Sequence, residues 1–471
     1  MSIVLKYLND IYAQVKQLDA TVRRSLWIIV VMLFLLLGSY PFIRIASEAY
    51  FNLAYGSEDL PKVWIGAVGV LSLSMLIYNF CQNRFTAQKL YFLTMAVTVL
   101  FFSSCIWGIS NPLVQGLGRQ AFIYHFYMWK EVYIILLLHM AFCYFNTLFT
   151  LPVAKLLYGP LGAVMGIAGW LGSLIAKLDL TNGVILPTIV GMVMIILSGL
   201  LFLFLPPRPL RSSGTLSPAA VSGAASVSSS SSSSSSWANL MANWKTSLPK
   251  SGHWVAKLPS PLKTVRQVWP YVTGLVLLMM LSQFVINLAN YAFNSSLDGL
   301  GDLISRKQYL STCYVWINGL SVVVQLFVVA PLFQLVSQKV IHFIIPFIYL
   351  FAAGWGIGPA ASALSLGAAY VVIKGVDYSL FSTAKEIFYF HLNAAQKYGA
   401  KYLVDMVSYR LGKALISLVL LNEVLNQIKN VKILLFVCLA LWPMLLGWIF
   451  CEQQRMMQKN QQRENLLPHK Q

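Results

Sequence analysis

The sequence predicts an all-α membrane protein with about twelve transmembrane helices in two six-helix bundles. Three observations carry that expectation. Of 471 residues, 58% are hydrophobic and 10% charged, whereas soluble domains carry about 25% charged residues. Apolar runs such as Trp27 to Tyr40, Val63 to Phe80 and Val184 to Leu205 are of the order a helix needs to cross a hydrocarbon core about 30 Å thick. Finally, one long polar interval, Pro206 to Pro270, divides the apolar text in two. A membrane barrel is disfavoured, because its strands would alternate polar and apolar residues over roughly ten positions.

In chain order, residues 1–25 form a polar segment of mixed charge, assigned to the cytoplasm by the loop charges below. Residues 26–206 form the first bundle, with spans centred near Leu35, Leu71, Leu100, Leu138, Ile167 and Ile195. Residues 207–269 form a linker containing an unbroken serine run from Ser228 to Ser236. Such a tract buries too little apolar surface to offset the entropy of ordering. Trp237, Trp244 and Trp254 interleave with lysines beyond the serines, a pattern that suits either an interfacial helix or an amphipathic linker. Residues 270–451 form the second bundle, with spans near Leu278, Val323, Phe347, Ala368, Ile416 and Leu439, and residues 452–471 form a polar tail. Eleven spans are the alternative where apolar text runs through the break at Gly356 to Pro359.

Loop charge sets the orientation. The formal net charge is +19. With a cytoplasmic N-terminus, the inner side collects Lys6, Lys16, Arg23, Arg24, Arg84, Lys89, Lys155, the basic residues from Arg208 to Arg266, Lys339, Lys385, Lys397, Lys401 and the basic tail. The outer side keeps far fewer: Lys62, Arg119, Lys177, Arg306, Lys307, Lys429 and Lys432. Both termini and the linker therefore belong in the cytoplasm. The basic residues are scattered singly, without an aromatic-interleaved patch, so nucleic acid is not an expected partner. The six cysteines have no Cys-x-x-Cys spacing and no His cluster beside them. They read as buried thiols, with no disulfide framework and no metal site. No leader or transit peptide is read at the N-terminus, where Asp10 and Asp19 break the acid-poor pattern of presequences.

A small set of charges remains within or close to the spans: Arg44 and Glu48, Lys130 and Glu131, Lys374 and Asp377, Asp405, Arg410 and Lys413, with Lys385 and Glu386 just beyond the tenth span. Each costs roughly 2.5–3.5 kcal/mol on insertion scales, so a polar pathway or an anionic ligand is the usual offset. Arg44 and Glu48, four apart, can pair on one helical face, and Lys130 can snorkel. Arg410 and Lys413, three apart, project from one face, and their joint charge suits a phosphate or carboxylate. Asp405 lies five residues earlier and is turned away from Arg410 on an α-helix. No Gly-x-x-x-x-Gly-Lys-Ser/Thr loop occurs, which argues against a P-loop pump. No Ser/His/Asp or His-Glu-x-x-His arrangement suggests an enzyme. His125 and His139, amid aromatics, read as packed histidines rather than proton carriers.

At these residues the chain resembles the nucleotide transporter family of plastids and intracellular bacteria, often called ADP,ATP carrier proteins, within the wider major-facilitator architecture. The resemblance rests on Tyr378-Ser-Leu-Phe381, Lys385-Glu386, Tyr389, Leu392, Lys401 with Asp405, and Arg410-Leu-Gly-Lys413. In the first half it rests on Trp129-Lys-Glu131, Phe142, Phe145, Asn146, Ala154-Lys155 and Tyr158, with traces at Tyr40, Arg44 and Ile286-Asn287-Leu288. The resemblance implies a substrate site drawing on Glu131, Lys385, Arg410, Lys413, Lys374, Arg44, Asn290 and Tyr378. The pattern departs at Ser47, Asn290 and Asn294, where the family carries charge, and at Asp377, where it carries a basic residue.

The implied function is exchange of ATP, ADP or a related nucleotide by alternating access, without hydrolysis, cofactor or metal. The implied setting is a bacterial inner membrane, with the chain acting as a monomer in the lipid bilayer. Two alternatives stand beside it: a proton-coupled carrier of a non-nucleotide organic anion using Glu131 or Asp405, and a transport-inactive scaffold or sensor.

Overall fold

The computed structural model describes residues 15–16, 18–81, 85–149, 151–177, 184–206, 265–356, 362–392 and 394–466. Nearly all of the linker, including Trp237, Trp244 and Trp254, lies outside them, as does the break after Gly356. The described residues are helical almost throughout, and eleven helices are long and apolar enough to cross a membrane. Each coincides with an expected span. The expected span that is missing from the set, around Ile416, is helical too, but it carries Asp405, Arg410 and Lys413 within little more than two turns.

The chain forms two compact units, one of residues 1–234 with 294–323 and one of residues 235–293 with 324–471. In the first, α1 (Ala20–Tyr55) is the central element, packed against α4 (Leu117–Leu148), α5 (Leu151–Lys177), α6 (Ile185–Leu203) and α8 (Leu303–Val323). Helix α2 (Leu60–Cys81) packs on α4, and α3 (Ala87–Ser110) on α4 and α6. Asp19 caps α1 by accepting from the Thr21 N–H at 3.0 Å, and α1 stops at Gly56, whose φ of 75° suits glycine. Asp302 accepts from the N–H groups of Ile304 and Ser305 at the start of α8. Hydrogen bonds from Ser305 hold its carboxyl below the usual carboxylate range.

Close helix approach in this unit depends on small residues, as in membrane bundles generally. Gly172 of α5 faces the Gly38 carbonyl of α1, and Gly191 of α6 faces Ile43. A side chain at Gly172 would collide with that carbonyl oxygen.

The second unit contains the body of α7 (Trp269–Ser295), a π-helical turn over Val324–Val329, α9 (Ala330–Leu335), α10 (Gln338–Gly356), α11 (Ala363–Val376) and α12 (Ser382–Phe388). It continues through α13 (Ala394–Lys401), α14 (Tyr409–Leu420) and α15 (Ile428–Leu466). Trp442 anchors its core, with the rings of Tyr349 and Phe381 set edge-on at 5.7 and 5.5 Å. Two further π-helical stretches, Asp377–Phe381 and Tyr402–Ser408, join α11 to α12 and α13 to α14. Such turns often mark functional positions because they shift the register of the side chains that follow.

Outward faces are apolar: Leu100, Phe327, Phe351 and Met444 are at least 70% exposed. Water would disfavour such a surface and lipid would not. The cysteines are all free thiols. Cys105, Cys313 and Cys438 are buried as expected, whereas Cys451 lies on an exposed face of α15. His139 is packed edge-on against Tyr78 at 5.3 Å. His125 is exposed, its ring satisfied by the Ala121 carbonyl one turn earlier.

Candidate functional site

The buried charges gather into one cluster in each unit. In the first, the hub is Glu48, 4% exposed and about 10 Å from the end of α1. Its Oε1 receives Lys130 Nζ at 2.6 Å and Arg44 Nε at 3.0 Å, and its Oε2 receives the Tyr314 hydroxyl at 2.5 Å. Lys130 does not snorkel. It is fully buried near the middle of α4, 3.3 Å from Glu131 and 3.8 Å from the centroid of the Tyr127 ring. The Tyr127 hydroxyl in turn accepts from Trp64 Nε1. Arg44 lies 4.1 Å above the Tyr314 ring. Arg44 and Glu48 do form the i,i+4 pair their spacing suggests, as one edge of a larger network.

Beyond Glu48 the network continues along α1. Asn52 donates to the Glu48 carbonyl and to Asn294 Oδ1, while Arg306 donates to the carbonyls of Asn52 and Leu300. Ser57 bonds Asp298 through both its N–H and its hydroxyl. Asn294, a position where the resemblance leads one to expect charge, therefore carries a neutral amide that holds α1. At Ser47 the hydroxyl turns back to the Arg44 carbonyl.

In the second unit, Lys385 of α12 meets Asp405 at 2.8 Å, and the Tyr389 hydroxyl donates to the same Asp405 oxygen at 3.3 Å. Glu386, the next residue, pairs with Lys401 at 2.6 Å. Two crossed ion pairs thus link α12 to the α13 segment, with the turn between them. Asp405 sits in the Tyr402–Ser408 π turn, which brings its carboxylate to Lys385. Lys374 pairs with Asp377 at 3.4 Å and lies 4.7 Å from the Tyr378 ring centroid. Lys385 also borders a small cavity whose other walls include Leu275, Met279, Phe381, Phe388 and Val404.

The residues expected from sequence are therefore distributed as follows. Arg44 and Glu131 belong to the first cluster, and Lys374, Tyr378 and Lys385 to the second. Arg410 and Lys413 are half-buried on α14, which continues directly from the π turn of Asp405, and Asn290 is half-buried on α7. Sequence reading missed the role of Glu48 as a hub, Tyr314 as its third donor, and Asp405 as the partner of Lys385. Adjacent opposite charges at Lys130-Glu131 and Lys385-Glu386 were the available signal. Asn146, Lys155 and Tyr158 lie outside the described side chains. Among the described residues no group of three or more His, Cys, Asp or Glu is arranged to hold a metal.

Residues 271–458 match the family model described as TLC ATP/ADP transporter. No curated protein matches the chain. Among solved structures, a D-xylose-proton symporter is similar with a TM-score of 0.57 and 13% identity, over 89% of this chain and 95% of that one. The nucleoside transporter NupG is similar with a TM-score of 0.52 and 12% identity, over 92% and 98% of the two chains. At such identities the likeness is one of fold. This chain shares the all-helical fold of those two transporters, with eleven helices long and apolar enough to cross a membrane among the described residues, and its likeness to the TLC model lies in residues 271–458.

Proposed function

We propose that this protein is a transporter of a nucleotide or a closely related organic anion, exchanging it across a bacterial inner membrane by alternating access. The observation that carries the reading is the pair of buried cations within the stretch that matches the transporter model, Lys374 beside the Tyr378 ring and Lys385 beside Phe381 and Tyr389, with the half-buried Arg410 and Lys413 on α14 in the same stretch. Cationic donors pair with phosphate oxygens. Aromatic faces offer stacking to a flat base.

In this reading Glu131, Arg44 and Asn290 are further substrate-contacting residues. The carboxylates beside Lys374 and Lys385 keep the helices near neutral at membrane depth when no anion is bound. No bond is made or broken in the cargo: the gradients of the exchanged anions drive net movement.

Uptake of labelled nucleotides into proteoliposomes carrying the protein tests this. Counterflow of at least one nucleotide, insensitive to an uncoupler, is the expected result. No uptake of any member of a broad panel, despite verified insertion, would overturn the proposal. Uptake abolished by the uncoupler would transfer the reading to a proton-coupled carrier.

A further inference from the structure

Three side chains from three helices converge on one carboxylate in the first unit. Arg44 comes from α1, Lys130 from α4 and Tyr314 from α8, and all three donate to Glu48, two of them to a single oxygen at 3.0 and 2.6 Å. This is the donor arrangement an oxyanion takes, with charged donors arriving from separate directions and a hydroxyl closing the set. The cations are also backed by rings: Lys130 lies 3.8 Å from the Tyr127 centroid, and Arg44 lies 4.1 Å from that of Tyr314. Backing of this kind holds a cation in place when its counter-ion leaves. Glu48 itself sits one turn beyond Arg44 on the same helix. A change of its side-chain rotamer withdraws the carboxylate while the three donors stay where the packing puts them.

We propose that Arg44, Lys130 and Tyr314 form a subsite for a phosphoryl group and that Glu48 is its built-in occupant, displaced when the cargo enters. The inference rests on the organic-anion reading above and adds the residue that sets the affinity of that site. An internal carboxylate makes the empty site electrically quiet, so two buried cations are not left exposed to one another. It also makes the site discriminate by charge. A singly charged carboxylate gains little over Glu48, whereas a di- or triphosphate offers more charge and more acceptor oxygens to the same donors. Glu131, 3.3 Å from Lys130, keeps that lysine paired during the exchange.

The test uses the full-length protein in detergent, with ATP and inorganic pyrophosphate titrated calorimetrically against wild type, Glu48→Gln, Glu48→Asp and Lys130→Met. Removing the internal competitor in Glu48→Gln should tighten both ligands about tenfold, and Lys130→Met should weaken both by a similar factor. Glu48→Asp keeps the charge but draws it back by one methylene, and should tighten binding about threefold. If Glu48→Gln does not fold, the Glu48→Asp result decides. Unchanged or weaker binding in the folded Glu48 variants overturns the proposal and makes Glu48 a structural counter-ion. The two readings separate cleanly. Tighter pyrophosphate binding in a protein that takes up no nucleotide keeps the subsite and removes the nucleotide cargo. Nucleotide uptake by wild type, with Glu48 variants of unchanged affinity, removes the subsite and keeps the cargo.

Discussion

Replacing Lys385 with methionine probes the second cluster, because the structure separates what that lysine does for stability from what it does for transport. The Asp405 side chain is 5% exposed, and the lysine removed is one of two donors to its Oδ1, the other being the Tyr389 hydroxyl at a longer 3.3 Å. Methionine fills much of the lysine volume, so the dominant effect is a buried carboxylate without its cation. Removing one partner of such a pair costs about 3–5 kcal/mol. At roughly 2 °C per kcal/mol for a large domain, the midpoint of thermal unfolding should fall by about 6–10 °C. Asp405→Leu should lose a comparable amount for the converse reason. The double variant Lys385→Met/Asp405→Leu removes both charges together and should recover most of the loss, since a buried pair is often replaceable by apolar side chains at little cost. Thermal unfolding of the four proteins in detergent measures this cycle. If Lys385 also engages the cargo, the double variant will be stable in the membrane yet inactive in nucleotide uptake. Additive losses in the cycle would refute the pair, and wild-type uptake by a stable double variant would remove Lys385 from the site.

Other expectations follow from single contacts. Tyr314→Phe deletes one hydroxyl donor to a buried carboxylate, and should lower stability by about 1.5–3 kcal/mol, read as a lower unfolding midpoint with the fold retained. Gly172→Ala places a methyl group against the Gly38 carbonyl and should cost about 1–3 kcal/mol by forcing α1 and α5 apart. Gly69→Ala on α2 meets nothing within 4 Å and should leave the midpoint unchanged or slightly raised, which makes it the control for Gly172. Arg410→Ala should abolish nucleotide uptake while leaving the protein in the membrane; uptake at the wild-type rate in that variant would exclude Arg410 from the site.

Much of this was legible in the sequence for a definite reason. Apolar run length is a one-dimensional property set by bilayer thickness, so the eleven apolar spans could be placed without knowing their neighbours. Local motifs such as Tyr378-Ser-Leu-Phe381 and Arg410-Leu-Gly-Lys413 likewise need no tertiary knowledge, and they pointed to the family whose model matches the second half. Helical periodicity sufficed for contacts on one helix, as with Arg44 and Glu48.

It could not supply contacts between helices. A span that is apolar on nearly every face gives little sign of its rotation about its own axis. The sequence therefore left open that Lys130 reaches Glu48, 82 residues away, or that Tyr314 does so across 266. Nor does an α-helical spacing rule hold through the π turn at Tyr402–Ser408, where Asp405 faces Lys385. The sequence by itself determined the apolar spans and the charges they carry into the membrane. Only the tertiary structure decided which charge answers which, because that choice depends on helix rotation and on a local change of helical period, and hydrophobicity records neither.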